Sequence, residues 1–252
     1  MVLYAYIDRE RTKKFYAKEA LKEDKKKRYY CPSPTCDAHM YLCSVDGVSS
    51  AYFSATRKQH SHRQGCGFEA SNNFKPQNFD EASFDFENVL EAMRKLNKST
   101  VKNKKSILHK NGEAHSKPLR TTRQIYEMCK SYPCSHKYNN LSIGKMLLDD
   151  RSEYMYPKGV FGNRIIESKV KRGIFYDSTK MELRLVAPSS KKYELILQFA
   201  DKSLFLDIKN SLYKNRDKLI ILSGLWESSA TFNSFCTKIV NKSQIVVLNK
   251  LK

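Results

Sequence analysis

Residues 164–186 have the sequence RIIESKVKRGIFYDSTKMELRLV. The stretch is rich in β-branched and aromatic residues on both sides of Asp177-Ser-Thr-Lys180, a segment of turn-forming composition, so it predicts two strands, over 164–176 and 181–186. A second turn is predicted at 188–191 and a third strand over 193–199. These segments together predict a three-stranded meander.

The residues that follow the meander complete a closed sheet. Ser203 is a candidate cap for an amphipathic helix, and further strands are predicted over 219–226 and 239–248. The predicted order is three strands, a helix and two strands, and the first strand is long. This is the connectivity of a five-stranded OB-type β-barrel, which this part of the chain resembles. The fold class predicted for the whole chain is α+β.

The sequence divides into three predicted regions: a zinc-binding β module over 1–75, a helical segment with a basic linker over 76–155, and the barrel over 156–252. In the middle region, helical spacing of apolar residues predicts a helix over 80–96. Residues 98–120 are rich in lysine and predict a linker or solvated arm. Two short helices are predicted after it, capped near Thr121 or Thr122 and at Ser142.

The charge of the chain indicates an anionic partner. Lys and Arg number 46 against 26 Asp and Glu, which gives a formal net charge of +20 over 252 residues. Nucleic acid, most simply single-stranded, is the first candidate for that partner. No run of about 18 apolar residues predicts a membrane span. Charged residues begin at Asp8, too early for a secretory signal, so we expect a reducing, cytoplasmic compartment.

Cysteines and histidines near the N-terminus have the spacing of a structural metal site. Cys31 and Cys36 form a C-x4-C pair, and His62 and Cys66 an H-x3-C pair. Such a set completes a Zn²⁺ tetrahedron without leaving a catalytic position open, so we predict an architectural zinc site. The alternative ligands are His60, Cys43 and His39, and the alternative to metal binding is a set of buried free thiols.

Short β-prone segments surround these ligands. They occur at 29–30, 40–42 and 51–53, separated by turns that contain Cys or Gly, which is typical of a zinc ribbon. A segment of this size has too few apolar residues to pack without a metal ion. The N-terminal module is therefore predicted to be zinc-ribbon-like.

The first seventy residues resemble the zinc-finger region of competence protein CoiA-like proteins. The resemblance covers about a quarter of the chain, and these are the matching elements: Tyr4-Ala-Tyr-Ile-Asp8, Tyr29-Tyr30-Cys31-Pro with Cys36, Ala51-Tyr52-Phe53-Ser-Ala55, and His62-Arg-Gln-Gly65-Cys66. It implies DNA handling in bacteria or their mobile elements. The family commonly continues into a nuclease-like domain.

Basic and aromatic residues alternate along the predicted barrel strands, as in barrels that bind single strands through phosphate contacts and base stacking. The candidate nucleic-acid-binding residues are Arg164, Lys169, Lys171, Arg172, Tyr176, Arg184, Lys191, Lys192, Tyr193 and Trp226. Tyr193 shares strand parity with apolar neighbours, and Trp226 lies at a strand end, so the alternative is that both rings lie in the core.

Two other functions are compatible with the sequence. Asp150, after Asp149, and Glu167-Ser-Lys169 match loosely the D…E-x-K pattern of Mg²⁺-dependent nucleases, although such spacings arise by chance in a charged chain. The third possibility is a protein-binding adaptor of a mobile-element or phage-defence system. The function predicted first is non-catalytic binding of single-stranded DNA or RNA.

Overall fold

The computed structural model describes residues 2–46, 51–64, 66–70, 74–95, 117–187 and 193–248. It confirms a mixed α+β fold with a closed five-stranded barrel in the C-terminal half. Most of the predicted linker over 98–120, the predicted turn at 188–191, and Lys191 and Lys192 lie outside the described residues.

A five-stranded antiparallel sheet and a short helix form the N-terminal part. These elements are β1 (Tyr4–Tyr6), β2 (Lys14–Tyr16), β3 (Tyr29–Tyr30), β4 (His39–Cys43), β5 (Tyr52–Ser54) and α1 (Gly67–Ala70). The strand order is β2-β1-β3-β4-β5, and buried side chains such as Tyr29, Met40 and Phe53 fill a small core of their own. The sheet is larger than the predicted three-segment ribbon because β1 and β2 extend it beyond β3.

The middle part consists mainly of helices that pack on the outside of the barrel. Its elements are α2 (Phe86–Arg94), α3 (Thr122–Ser131), β6 (Lys137–Tyr138), β7 (Leu141–Ser142), α4 (Ile143–Met146) and β8 (Leu147–Leu148). Helix α2 begins at Phe86 rather than near residue 80, because the Asp85 side chain caps it by accepting from the Asn88 N–H. The predicted cap at Thr121 is confirmed as a capping box with Gln124.

The barrel and the elements attached to it occupy the C-terminal part. They are β9 (Gly162–Val170), β10 (Tyr176–Asp177), β11 (Glu182–Val186), β12 (Glu194–Phe199), α5 (Lys202–Lys214), β13 (Leu219–Ser228), β14 (Ser234–Ile239) and β15 (Ile245–Leu248). Strands β9, β11, β12, β14 and β13 close the barrel in that order, and β12 and β14 run parallel. Helix α5 lies between the third and fourth barrel strands along the chain.

The strength of lateral pairing varies around the barrel. Seven residue pairs join β9 to β13, five join β11 to β12, and six join β12 to β14. Only two pairs join β9 to β11, and two join β13 to β14. The barrel is therefore closed by two short seams.

Three details of the predicted barrel were wrong. The first strand ends at Val170 rather than 176, because Gly173 adopts a left-handed φ of +80° in the connection to β10. The cap of α5 is Asp201, which accepts from the Leu204 N–H, and not Ser203. The fifth barrel strand is β14, whereas 245–248 forms the separate strand β15, which pairs with β13.

Two apolar clusters share the barrel wall. The inner cluster includes Ile166, Leu222 and Trp226, and the outer cluster joins α2, α3 and α4 to side chains such as Ile165 and Ile221 on the other side of the same strands. Burial on both sides explains why apolar residues occupy consecutive positions at Ile165-Ile166 of β9 and at 219–222 of β13.

Short 3₁₀ helices occur in the connections at Ala17–Glu19, Lys22–Lys26, Lys58–His60, Pro76–Asn78, Glu153–Met155 and Lys242–Gln244. None of the helices that the structure describes has the length and apolar character needed to cross a membrane.

Gly159 is required where the chain enters the barrel, and Gly173 provides a matched control. Both have positive φ, but an added Cβ at Gly159 would lie 2.1 Å from the Phe235 ring, whereas one at Gly173 would meet nothing within 4 Å. We expect Gly173→Ala to reduce the free energy of unfolding by about 1 kcal/mol through backbone strain. We expect Gly159→Ala to reduce the free energy of unfolding by roughly 1–3 kcal/mol more than Gly173→Ala does, because the buried Phe235 ring must move. Urea unfolding measures both losses, and equal losses would contradict the close approach to Phe235.

Candidate functional site

Four side chains of the N-terminal module form a compact cluster, in which one sulfur or nitrogen atom of each lies within 4.8 Å of the others. The residues are Cys31, Cys36, His62 and Cys66. The sulfurs of Cys31 and Cys66 are 3.8 Å apart, and Cys36 Sγ is 3.5 Å from His62 Nδ1. A tetrahedral ion bound at about 2.3 Å to sulfur and about 2.0 Å to nitrogen would set these separations at about 3.8 and 3.5 Å. The cluster can therefore hold a metal ion with four protein ligands.

Arg11 braces the loop that carries the first two ligands. Its guanidinium donates to the carbonyl of Cys31 at 3.0 Å and to the carbonyl of Cys36 at 2.7 Å. A turn closed by the Cys36 N–H on the Ser33 carbonyl shapes the loop between them. The two cysteines are thus held in position by hydrogen bonds that do not depend on a metal ion.

The protonation of the sulfurs also favours a cation at this point. Burial raises the pKa of the Cys31 thiol well above its ordinary value. Hydrogen bonds from Cys31, and then from Cys66, lower the pKa of Cys36, so a single thiolate is stabilised by its two neighbours. Three thiolates can coexist in this buried space only with a positive ion between them.

The alternative ligands lie elsewhere in the module. His60 stacks on His39, with ring centroids 3.9 Å apart, and the Cys43 thiol lies 3.6 Å from the Tyr41 carbonyl oxygen. His62 is the histidine in the cluster, which resolves the choice that the sequence left open between it and His60.

A second cluster joins acidic and basic side chains between the module and the barrel. Asp149, Asp150 and Glu167 each place a carboxylate oxygen within 4.8 Å of the others. The ammonium of Lys130 lies 2.7 Å from Asp149 and 2.8 Å from Glu167. Arg151 makes a further ion pair with Asp149 at 2.8 Å.

A cation of the chain, the Lys130 ammonium, bridges two of these three carboxylates. Burial works against the charged form of Lys130, but Asp149 and Glu167 outweigh it and raise its pKa, so the ammonium stays charged. The side chains of Lys130, Asp149 and Glu167 are at most 4% exposed. Lys169, the lysine of the predicted E-x-K pattern, lines a groove at the end of the barrel. The arrangement favours a structural role for these residues over catalysis.

Contacts around this cluster fasten the metal loop to the barrel. Asp150 accepts hydrogen bonds from Ser33 and from Thr35, the latter at 3.2 Å, and both donors lie between the first two cysteine ligands. Gly67 packs so closely that an added Cβ would lie 2.5 Å from a Glu167 carboxylate oxygen. The metal module and the barrel are therefore in direct, close contact.

Two of the predicted base-stacking residues are buried, which corrects their assignment. Tyr193 and Trp226 are each 1% exposed and belong to the barrel core. The Tyr193 hydroxyl donates to the Tyr156 carbonyl, and the Trp226 indole N–H donates to the Arg164 carbonyl. Their polar atoms are satisfied inside the barrel, and neither ring offers a face to a base.

The remaining predicted residues divide between different places. Arg164 is near the start of β9, roughly 23 Å from Lys171 at about 3.3 Å per residue, so one short site cannot include both. Lys171 and Arg184 both pair with Glu194, at 2.6 and 3.2 Å. One carboxylate thus offsets half of their combined charge.

A basic groove forms where the metal module meets the end of β9. It has a volume of 450 Å³ and is lined by Gln64, Lys169, Val170, Lys171, Arg172, Gly173, Arg216 and Asp217. We call it the barrel-end groove. Lys169, Arg172 and Arg216 form no ion pair with any other residue that the structure describes.

Helix α5 and the turn that follows it supply aromatic and basic side chains next to the groove that the sequence analysis did not identify. The Arg216 guanidinium lies 4.9 Å from the Phe175 ring centroid and 4.6 Å from that of Tyr213. Lys209 lies 4.9 Å from the ring of Tyr176. Tyr213 and Tyr176 are 62% and 40% exposed. Lys209 and Tyr213 are four residues apart on α5, and this helical spacing was the signal that could have revealed part of this surface.

Comparisons of the chain with protein-family models, with curated proteins and with solved structures find no match.

Metal content tests the four-ligand cluster. We expect one bound metal ion per chain, and we expect Cys36→Ser to lose most of it because a hydroxyl is a poor substitute for a thiolate. Mass spectrometry of the intact native protein measures the bound metal. Cys236→Ser, which alters a thiol of the barrel, should keep it. Full metal content in Cys36→Ser would contradict the assignment.

Unfolding experiments test the buried ion pairs. Lys130→Met leaves two buried carboxylates without their ammonium, so we expect a loss of about 3–5 kcal/mol in the free energy of unfolding. Arg123→Met alters a partly exposed cation on the same helix and should change stability by no more than about 0.5 kcal/mol. Similar losses in the two variants would show that Lys130 does not bridge Asp149 and Glu167.

Proposed function

We propose that the protein binds single-stranded nucleic acid at the end of its barrel, next to an N-terminal module that a zinc ion stabilises. The barrel-end groove carries this proposal, because it is lined by unpaired cations and exposed aromatic rings lie beside it. Lys169, Arg172 and Arg216 supply the charge, and Tyr176 and Tyr213 supply the rings. This is the combination by which proteins hold single strands.

The architecture supports assignment of the barrel to the OB type. Five strands close the sheet, and α5 connects the third strand to the fourth. OB-type barrels commonly bind oligonucleotides. The proposed site lies at the connection after the first barrel strand, with α5 beside it.

The geometry of the groove suits a phosphate backbone rather than a particular base sequence. Arg216 lies against two rings and donates to the Gly173 carbonyl at 3.3 Å, which limits its side-chain freedom before any ligand binds. A guanidinium fixed in this way loses little entropy when it binds a phosphate. Contacts of this kind distinguish poorly between bases, so we propose weak sequence preference.

Zinc is the metal that best fits the N-terminal cluster. Three sulfurs and one imidazole nitrogen at tetrahedral spacing are typical of structural zinc sites, and such a site stabilises a small ribbon-like module. Thiolate ligands of this kind persist in a reducing cytoplasm. The resemblance of the first seventy residues to CoiA-like proteins favours DNA handling in bacteria or their mobile elements as the setting.

Salt dependence separates this proposal from a protein-binding adaptor. We expect the logarithm of the association constant for oligothymidine to fall linearly with the logarithm of salt concentration, by about 0.7 per phosphate contact. The triple variant Lys169→Gln, Arg172→Gln, Arg216→Gln should reduce that slope by roughly 2 and weaken binding about tenfold or more at low salt. Fluorescence anisotropy measures both quantities.

The control for this experiment is Lys238→Gln, which removes an exposed cation from β14. It should bind like the unaltered protein. If the unaltered protein binds no oligonucleotide at low salt, the proposal of nucleic-acid binding is wrong, and a protein-binding adaptor is the function that is left. If it binds but the triple variant binds equally well, the strand lies elsewhere.

A further inference from the structure

One side of the N-terminal sheet carries rings that its core does not use. Tyr30 on β3 pairs with His39 on β4, and Tyr41 lies two residues further along β4, so the three side chains leave the sheet on the same side. All three are partly exposed, whereas the neighbouring Tyr29 and Met40 are buried. Packing of the module does not require these three rings.

A fourth ring extends this surface. The His60 imidazole lies on that of His39, with centroids 3.9 Å apart and planes inclined by 31°, and the edge of Tyr30 meets His39 at 5.6 Å. We call Tyr30, His39, Tyr41 and His60 the aromatic face. His39 therefore contacts both Tyr30 and His60, and Tyr41 follows two residues along β4 on the same side of the sheet.

Arginines flank the aromatic face. The Arg28 guanidinium lies 5.5 Å from the Tyr30 ring centroid, and that of Arg57 lies 4.4 Å from the Tyr41 centroid. Both arginines are exposed, and neither forms an ion pair within the part of the chain that the structure describes. Their charges are available to phosphates beside the rings.

Nearby carboxylates do not offset that charge. Asp37 pairs with Arg9 at 3.4 Å, and Asp46 pairs with Lys22 and Lys25. The surface therefore combines unpaired positive charge with exposed rings, and it is complementary to a polyanion that carries flat aromatic groups.

We infer that the aromatic face is a second contact site for single-stranded nucleic acid, where unpaired bases stack on the rings and Arg28 and Arg57 bind the phosphates between them. The inference rests on the proposed function of the barrel-end groove and extends it to the metal module. Double-stranded nucleic acid would not fit this role, because its bases are already stacked on one another.

The metal-ligand loop connects the two sites. His60 belongs to the aromatic face, His62 is a metal ligand and Gln64 lines the barrel-end groove. One strand can therefore pass along this loop from the module to the barrel. Binding at both sites makes the second contact intramolecular, which raises the affinity of long strands more than that of short ones.

Oligonucleotide length tests this inference. An oligothymidine of about 8 nucleotides can occupy one site only, whereas one of about 30 nucleotides exceeds the span of a single barrel. We expect the double variant Tyr30→Ala, Tyr41→Ala to weaken binding of the long oligomer about five- to tenfold and to leave binding of the short oligomer nearly unchanged. Tyr154→Ala, at a tyrosine that is 76% exposed elsewhere, is the control and should bind both normally.

A charge variant tests the same site without touching the rings. Arg28→Gln with Arg57→Gln should weaken binding of the long oligomer alone, whereas Lys14→Gln, which removes an exposed cation from β2 at the edge of the same sheet, should have no effect. An oligomer of the same length with abasic positions separates stacking from charge. The unaltered protein should bind this abasic oligomer more weakly than oligothymidine. The double variant Tyr30→Ala, Tyr41→Ala should bind the two oligomers with nearly equal affinity.

The outcomes separate the two proposals. If the unaltered protein binds neither oligomer, the proposed function itself fails. If it binds both, and both double variants bind the long oligomer as tightly as it does, the barrel-end groove stands and the aromatic face is not a binding site. Metal content and the urea midpoint of each variant establish that it is folded.

Discussion

The arrangement of the molecule depends on an ammonium group that is almost fully removed from water. Lys130 lies between Asp149 and Glu167 with its side chain 1% exposed, and the Phe68 ring of the N-terminal module lies 4.3 Å from its nitrogen. A buried cation is tolerated only when its partners are well placed. Helix α3, the segment that follows β8 and strand β9 supply Lys130, Asp149 and Glu167, so these three elements must keep their relative positions. Gly67 of the N-terminal module packs against both Glu167 and Lys130 of this ion pair. The metal loop and the barrel-end groove are thereby held side by side.

Much of the barrel could be predicted because its strands alternate regularly and are separated by clear turn residues. The errors occurred where two local signals competed. Asp201 and Ser203 are both good helix caps, and only the packing of α5 selects Asp201. The run 245–248 has a strand composition, but it pairs with 219–222 at the start of β13, whereas β14 pairs with Glu227 and Ser228 near its end, a difference that depends on long-range contacts.

The cluster of three cysteines and one histidine could be predicted because the spacing of these residues along the chain already limits their geometry. The candidate binding surfaces could not be predicted from the sequence, because the burial of each ring in the fold decides whether a ligand can reach it. Tyr193 and Trp226 were reasonable stacking candidates by composition, yet both fill the barrel. Arg216 and Tyr213 come together with Phe175 only through folding. The resemblance of the N-terminal module to CoiA-like proteins and the nucleic-acid partner remain proposals.

The uneven pairing around the barrel has a mechanical consequence. One wall is built from β11, β12 and β14 and the other from β9 and β13, and each is internally well paired, whereas the walls are joined by two residue pairs at either seam. Backbone pairing is therefore sparsest at the two seams, and these are the places where it opposes a widening of the barrel least. Lys169 is one of the residues in the β9–β11 seam and also lines the groove. A small widening of the barrel at this seam would therefore also change the width of the groove.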